Sequence, residues 1–425
     1  MDNNISNIIS SSNLHSTNFQ NKYSNKKIYD IHSILQNNIN NRNINNYEVN
    51  DKSSGIIYKN IINFTKDDAF IEELKSIIEK KGKIDYDIYN LVKGKFLSVI
   101  KKHKGSKLFQ KYLKSNIPSK IIHLLYIELS QNLEEIITDA YSNYFCKKFY
   151  IFLSQKDRID FLERIKNSIF RLSCHNVGSF TIQAIIENLG SKAEQFIIIN
   201  VLKNHIQQLS YDPFGCHVLE RLLASIDEEF ISFLYLYIID NFLKLANNRY
   251  GIYLVKTILT FIQKKNLHEK IKKIVKENPY MLILNPFGNF VIQVIVEYWS
   301  DYKEIVNLYK GNFFGLSFEK YASNAIEKCI EKDKEILNDF IDEILRSNRI
   351  YDIMKSKYGN YVIQKAIKLS KNIYKKELVF CAAKDINNLN DHKLIIKWKS
   401  ILLPYIKELT SEQIEQLKNR KYFEN

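Results

Sequence analysis

The chain has 425 residues and a formal net charge of +15, and it contains only twelve glycines and five prolines. This length suits two globular domains or one long repeat array, and the scarcity of helix breakers favours helices. The basic excess suits a polyanionic partner, with nucleic acid ahead of an anionic membrane surface and a general bias toward lysine as the alternative.

Residues 1–65 are predicted to form a disordered tail, because residues 1–60 hold sixteen asparagines and little apolar periodicity. The opening stretch MDNNISNIIS has no basic segment before an apolar one, so we expect no secretory signal. Apolar runs fall far short of the roughly 20 residues that span a bilayer. The five cysteines form no C-x-x-C pair, which argues against disulfides and zinc and indicates a reducing, cytoplasmic location.

From about residue 66 onward, apolar residues recur at helical spacing and one motif occurs eight times. The eight copies are KGSKLFQKYL, YSNYFCKKFY, VGSFTIQAII, FGCHVLERLL, YGIYLVKTIL, FGNFVIQVIV, YASNAIEKCI and YGNYVIQKAI. Successive copies are 34 to 37 residues apart. Each unit is predicted to contain a helix, a short loop and a second helix that begins at the motif. Because one unit cannot bury its own apolar face, the units should stack into an all-α solenoid.

Three motif positions are predicted to lie on one surface of this solenoid. Position one directly follows the small residue (Gly, Ser or Ala), and position five lies one helical turn further on, with position two beside them. The small residue before the motif is expected to allow a tight entry into the helix, and Gly tolerates whatever backbone angle the loop requires. Position one is occupied by Ser106, Asn143, Ser179, Cys216, Ile252, Asn289, Ser323 and Asn360.

Position two is a flat ring in six of the eight copies, namely in all except the first and the seventh. Core packing is the alternative explanation, but the flanking positions are mostly polar. Exposed rings on a basic protein indicate stacking with unpaired bases. The residues at position two are Lys107, Tyr144, Phe180, His217, Tyr253, Phe290, Asn324 and Tyr361.

Position five carries an amide, a carboxylate or a lysine. An amide can both donate and accept, which fits the mixed edge of uracil, whereas a carboxylate only accepts and fits the two neighbouring N–H groups of guanine. The residues at position five are Gln110, Lys147, Gln183, Glu220, Lys256, Gln293, Glu327 and Gln364.

With motifs such as YGNYVIQK and YASNAIEK, residues 80–400 resemble the Pumilio (PUF) family of RNA-binding proteins. The resemblance implies a right-handed, crescent-shaped solenoid of eight three-helix repeats over residues 66–400, with flanking caps that include residues 401–425. It also implies single-stranded RNA on the concave face, one base per repeat, with the 5′ base at the last repeat.

The resemblance assigns bases to five of the repeats. Asn360 with Gln364, and Asn289 with Gln293, are similar to uracil readers, and Ser323 with Glu327 is similar to the guanine reader, which in the family also lacks an aromatic second residue. These assignments predict a 5′-UGU core. The pairs Ser179 with Gln183 and Ser106 with Gln110 resemble adenine readers.

Three repeats depart from the family pattern. In the fifth, Ile252 offers no hydrogen bond, although Tyr253 can stack and Lys256 can reach an acceptor or a phosphate. In the fourth, the carboxylate of Glu220 favours guanine. In the second, Lys147 replaces the usual glutamine. The predicted RNA is 5′-UGU, two loosely specified bases, A, a U-like base, and A.

The leading hypothesis is a monomeric, sequence-specific binder of mRNA 3′ untranslated regions that represses translation or promotes decay. The resemblance implies co-repressors or deadenylation factors as partners on the convex face. No catalytic constellation, metal site, cofactor site or membrane partner is expected. The alternatives are a HEAT- or armadillo-like protein scaffold and a nuclear or nucleolar Pumilio relative with little sequence preference.

Overall fold

The computed structural model describes residues 54–114, 117–261 and 265–418. The chain divides into two units, Met1–Asp68 and Ala69–Asn425. Most of the predicted tail lies outside the described residues. Its last part does not, because a helix spans Ser54–Lys81 and therefore begins before the predicted boundary at residue 65.

The second unit is an α-solenoid, and its described residues form helices without strands. After the helix Tyr86–Val92, a pattern of short helix, motif helix and back helix occurs eight times in the described part of the chain. The three-helix unit implied by the family resemblance is therefore present, rather than the pair of helices that periodicity alone predicted. The short helices are Phe96–Ile100, Leu133–Thr138, Ile169–Ser173, Ile206–Ser210, Phe242–Ala246, Pro279–Ile283, Phe313–Leu316 and Ile350–Lys355.

The motif helices begin at or close to the small residue that precedes each motif, except for the first, which begins two residues earlier. They span His103–Tyr112, Ser142–Phe152, Gly178–Glu187, Gly215–Ser225, Gly251–Phe261, Asn289–Tyr298, Ala322–Lys332 and Gly359–Leu369. We number these helices, and the three-helix units that contain them, from first to eighth.

The back helices complete the units, and two further helices follow the eighth unit. The back helices are Ser119–Leu129, Gln155–Ile165, Lys192–Leu202, Glu228–Asp240, Lys265–Glu277, Lys303–Val306, Lys334–Ser347 and Asn372–Asp385. Short 3-10 segments lie at Lys166–Ser168, Lys203–His205, Asn307–Tyr309 and Ile386–Asn388. The final helices are His392–Ile406, which crosses the predicted boundary at residue 400, and Ser411–Lys418. Within the described residues, no helix is both long and apolar enough to cross a membrane.

Stacking of consecutive motif helices produces one continuous core. Each motif helix packs against the next one along the chain and against its own short helix. In the eighth motif helix the residues at positions three and four, Val362 and Ile363, are buried together with Ala366 and Ile367. Positions three and four of this helix therefore point inward, which fixes the side that remains for positions two and five.

Glycine precedes most motifs because the backbone of the short helix comes very close. A Cβ atom on Gly251 would lie 2.9 Å from the Cα of Leu245, and one on Gly288 would lie 2.7 Å from the carbonyl oxygen of Leu282. Gly288 has an ordinary helical φ of −58°. Glycine therefore permits the tight entry into the motif helix by allowing this close contact, and at Gly288 no unusual backbone angle is involved.

A capping side chain four residues before position one holds the start of the motif helix. The Oδ1 atom of Asp212 accepts hydrogen bonds from the backbone N–H groups of Phe214 and Gly215 at 2.8 and 2.7 Å. Asn248 and Asn285 form the same pair of bonds one and two units later. Such caps satisfy N–H groups that the helix cannot pair internally, so they fix where each motif helix begins.

Candidate nucleic-acid interface

The rings at position two lie on the surface. Tyr361, Phe180 and Tyr144 are 59, 56 and 52 % exposed, and Phe290 and Tyr253 are 41 and 37 % exposed. His217 is half-buried, and the two residues without a ring, Lys107 and Asn324, are exposed. Large apolar rings repeated along one face are unusual for a surface that has no partner.

Position one, in contrast, is buried in every unit, so only two of the three expected columns reach the surface. The exposed fraction ranges from 0 % at Cys216 to 7 % at Asn360. In several units the side chain turns back toward the segment that precedes the helix. The Nδ2 atom of Asn289 donates to the carbonyl oxygens of Asn285 and Pro286 at 2.9 and 3.0 Å. Its Oδ1 atom is therefore the group left to accept hydrogen bonds.

Position five is half-buried throughout and in three units is bonded directly to position one. The Nε2 atom of Gln293 donates to Oδ1 of Asn289 at 2.7 Å. The first unit has the same bond from Gln110 to the hydroxyl of Ser106, at 2.9 Å. Positions one and five are thus direct neighbours, as their spacing predicted.

The seventh unit presents a carboxylate. Glu327 is half-buried, and its Oε1 atom lies 3.5 Å from Nζ of Lys365 on the eighth motif helix. Ser323 beneath it donates its hydroxyl to the carbonyl oxygen of Lys320 at 3.3 Å. A carboxylate with a single ion-pair partner keeps most of its capacity to accept hydrogen bonds.

Serine at position one has different surroundings in the first and third units. The hydroxyl of Ser106 donates to the carbonyl oxygen of Tyr141 in the next unit at 2.8 Å. The hydroxyl of Ser179 is buried and has no hydrogen-bond partner, and Gln183 lies half-buried one turn away. The third unit therefore keeps a free hydroxyl beside its amide.

In the fourth unit the predicted acceptor is already occupied. Glu220 accepts from the hydroxyl of Thr257 at 3.0 Å, and its other oxygen lies 2.6 Å from Nδ1 of His217. Hydrogen bonding with Cys216 and Glu220 raises the pKa of His217 to about 10. His217 is therefore an imidazolium at neutral pH, and the carboxylate serves this internal pair.

In the second and fifth units a lysine lies against the exposed rings. Nζ of Lys147 is 4.3 Å from the ring centroid of Tyr144. Nζ of Lys256 is 5.8 Å from the ring centroid of Tyr253 and 5.6 Å from that of Phe290 in the next unit. These distances fit cation–π contacts. Ile252 beside Lys256 is buried and offers no hydrogen bond.

The eighth unit contains a residue that the sequence analysis missed. Asn360 directs its Nδ2 atom to the carbonyl oxygens of Ser356 and Lys357, and its Oδ1 atom accepts from Gln364 at 2.8 Å. The same Oδ1 atom accepts from Nζ of Lys397 at 2.9 Å. Lys397 lies on the helix His392–Ile406, 37 residues after Asn360. That interval is the repeat spacing, which is the signal that could have identified it.

Comparison with known proteins agrees with this architecture. The family described as the Pumilio-family RNA binding repeat matches residues 168–202, 205–239, 280–306, 312–345 and 349–379. These segments contain the third, fourth, sixth, seventh and eighth motif helices. That the remaining three units are also PUF repeats stays a prediction.

Relatives with curated descriptions are Pumilio proteins. Pumilio homolog 12 of Arabidopsis thaliana is 28% identical over 325 residues, which cover 75% of this chain and 52% of the relative. Pumilio homology domain family member 4 of Saccharomyces cerevisiae is 33% identical over 189 residues, or 42% of this chain and 21% of that protein. The chain thus spans about half the length, or less, of these relatives.

Solved structures share the fold over most of their length. The Puf4 RNA binding domain, bound to an HO endonuclease RNA 3′ UTR recognition sequence, is 26% identical with a TM-score of 0.62. The match covers 71% of this chain and 97% of that one. The Puf3 RNA binding domain has a TM-score of 0.65 at 23% identity, covering 74% and 96%. The chain thus carries PUF repeats over the matched segments, is similar to Pumilio proteins and shares the solenoid fold of their RNA binding domains.

Proposed function

We propose that this chain binds single-stranded RNA across its motif helices, one nucleotide per unit, with the 5′ base at the eighth unit. The observation that carries the proposal is the regular series of exposed rings, each beside a half-buried polar residue at position five. Rings at this spacing offer stacking for successive bases, and the neighbouring polar groups can meet the base edges. The similar Puf4 domain, solved with a 3′ UTR sequence, supports RNA as the ligand.

The proposed 5′ sequence is UGU. In the sixth and eighth units, Asn289 and Asn360 offer an acceptor, and Gln293 and Gln364 offer a donor beside it. This arrangement suits the N3–H group and a carbonyl of uracil. In the seventh unit the Glu327 carboxylate can accept both N–H groups of guanine.

The remaining units are proposed to differ in how strictly they select a base. The third unit, with its free Ser179 hydroxyl, and the first unit are proposed to take adenine, and the second a U-like base. The fourth and fifth units should be permissive, because Glu220 is engaged by His217 and Thr257 and because Ile252 has no hydrogen-bonding group.

We propose that the chain acts as a cytoplasmic regulator of mRNA translation or decay and not as an enzyme. In this role it would hold a 3′ untranslated region while other proteins, such as co-repressors or deadenylation factors, act on the message. The exposed surface of the back helices is the proposed site for these proteins.

Selection of bound RNAs from a random pool tests the proposal directly. We expect an enriched UGU followed by two variable positions. Glu327→Gln should then weaken binding to UGU-bearing RNA by about 1–3 kcal/mol, since it removes an acceptor for guanine. Glu331→Gln is the matched control, because Glu331 is exposed on the same helix and pairs with the same Lys365. If no sequence is enriched, the alternative of a Pumilio-like protein that binds RNA with little sequence preference is favoured instead.

A further inference from the structure

Three polar groups from two helices meet in the eighth unit. The Oδ1 atom of Asn360 lies between two donors, Nε2 of Gln364 at 2.8 Å and Nζ of Lys397 at 2.9 Å. Both hydrogens of the Asn360 amide are directed away from this point, to the carbonyl oxygens of Ser356 and Lys357. Nε2 of Gln364, Oδ1 of Asn360 and Nζ of Lys397 therefore form a donor–acceptor–donor array, in which the lysine supplies one of the two donors.

This array complements the pairing edge of uracil, which presents the O2 carbonyl, the N3–H donor and the O4 carbonyl in that order. Cytosine presents two acceptors and one donor, guanine presents one acceptor and two adjacent donors, and adenine presents one donor and one acceptor. Each of these three edges places at least one donor opposite a donor or one acceptor opposite an acceptor. Such mismatches leave polar groups unpaired. Only uracil satisfies all three groups.

We propose that Lys397 is a specificity-determining residue for the 5′ uracil, which deepens the function proposed above and rests on it. Its ammonium group donates to one uracil carbonyl, Gln364 donates to the other, and Asn360 accepts from N3–H. The two donors move from Asn360 to the base as it enters, so their bonds are exchanged rather than lost.

The lysine is already held in place for this role. Its side chain is half-buried, and Nζ lies 5.1 Å from the ring centroid of Tyr361, on which the base would stack. A donor that is held near its binding position loses less conformational freedom on binding than a free side chain.

The sixth unit provides an internal comparison. Asn289 and Gln293 repeat the amide pair. However, the residue one unit after Asn289 is Ser323. Its hydroxyl donates to the carbonyl oxygen of Lys320, just before the seventh motif helix, and not to Asn289. Recognition of the third base should therefore be independent of Lys397, while recognition of the first base should depend on it.

The test measures binding of the full chain to short RNAs that carry U, C or A at the first base, and separately U or C at the third. Lys397→Met should reduce the preference for U over C at the first base by roughly 10-fold, the effect of one specific base contact. Preference at the third base should not change. Lys393→Met, an exposed lysine on the same helix, is the control for charge and should alter neither preference.

Absence of any first-base preference in the wild type would overturn the inference, and so would any of three results with Lys397→Met. The first is an unchanged first-base preference. The second is tighter binding of all RNAs by the variant, which would mean that the lysine blocks the unit. The third is an equal loss for every first base, which would mean a phosphate contact. Should Lys397→Met fold poorly, Lys397→Gln decides, since its amide keeps a donor and should retain more preference for U than Lys397→Ala.

Preference for G at the second base separates the two proposals, because it depends on Glu327 and not on Lys397. If the wild type lacks that preference, the proposed UGU recognition fails. If the wild type prefers G at the second base but Lys397→Met leaves the first-base preference unchanged, only the inference about Lys397 fails.

Discussion

Neighbouring side chains change the chemistry expected from a residue's type, and His217 is the clearest case. Its sequence position suggested a stacking ring beside a carboxylate that favours guanine. In the structure the imidazole contacts Glu220 at 2.6 Å and lies 4.7 Å from the ring of Tyr253. The pKa of His217 is raised to about 10, so the stacking group is a cation paired with a carboxylate. Because the two charged groups bond to each other, few hydrogen-bonding groups remain in this unit to discriminate between bases.

We expect the His217 imidazole to stay protonated at pH 8, with NMR of the ring protons as the measurement. Because its pKa is raised from 6.5 to about 10, the pair stabilises the fold fully below about pH 6.5 and loses this contribution as the pH rises to about 10. Glu220→Gln should lower the pKa of His217, because it removes the carboxylate partner. Titration of His217 near pH 6.5 in the wild type would contradict the ion pair.

At the scale of a helix, a cap and a glycine together fix the start of the fourth, fifth and sixth motif helices. The capping residues Asp212, Asn248 and Asn285 satisfy the first backbone N–H groups. The glycine lets the short helix approach the motif helix. The cap and the glycine both precede position one in the sequence and act on the backbone. By fixing where the helix begins, they determine where the side chains at positions one, two and five point.

Gly251→Ala should destabilise the fold by about 1–3 kcal/mol, since its methyl group would lie 2.9 Å from the Leu245 backbone. Thermal or denaturant unfolding measures this effect. Asn324→Ala, on the exposed face of the seventh motif helix, is the control and should change stability by less than about 0.5 kcal/mol. Equal stability of Gly251→Ala and the wild type would mean that the helices can separate without cost.

At the scale of the whole molecule, the solenoid needs closed ends, because each unit contacts mainly its neighbours. Trp398 on the helix His392–Ile406 is fully buried, and its Nε1 atom donates to the carbonyl oxygen of Met354 in the eighth unit at 3.1 Å. Trp398 therefore packs between this helix and the eighth unit. The same helix carries Lys397, which contacts Asn360. The helix that closes the core therefore also contributes a side chain to the proposed binding site of the eighth unit.

Trp398→Ala should destabilise the C-terminal end by about 3–5 kcal/mol, the usual cost of removing a buried tryptophan. Native-state hydrogen exchange should show faster exchange in the eighth unit and the final helices, with protection kept in the second to fourth units. Uniform loss of protection along the chain would contradict this local coupling and indicate a single cooperative unit.

Several features of the fold and site could be predicted from local order in the sequence. The 34 to 37 residue interval placed every motif helix, because each unit is a local structure that repeats. The alternation of rings and apolar residues placed Tyr361 and Phe180 on the surface and Val362 in the core, because helical periodicity decides which side of a helix is buried. The spacing of four residues placed Gln293 beside Asn289.

Only the tertiary structure decided features that depend on separate helices meeting. Burial of Asn360, the steric need for Gly251, the engagement of Glu220 by Thr257 and the reach of Lys397 all involve groups brought together by packing. Thr257 and Lys397 each lie 37 residues from the residue that they contact. The physical reason is that periodicity within one helix specifies a face, whereas a contact between helices depends on the distance and angle at which two faces pack.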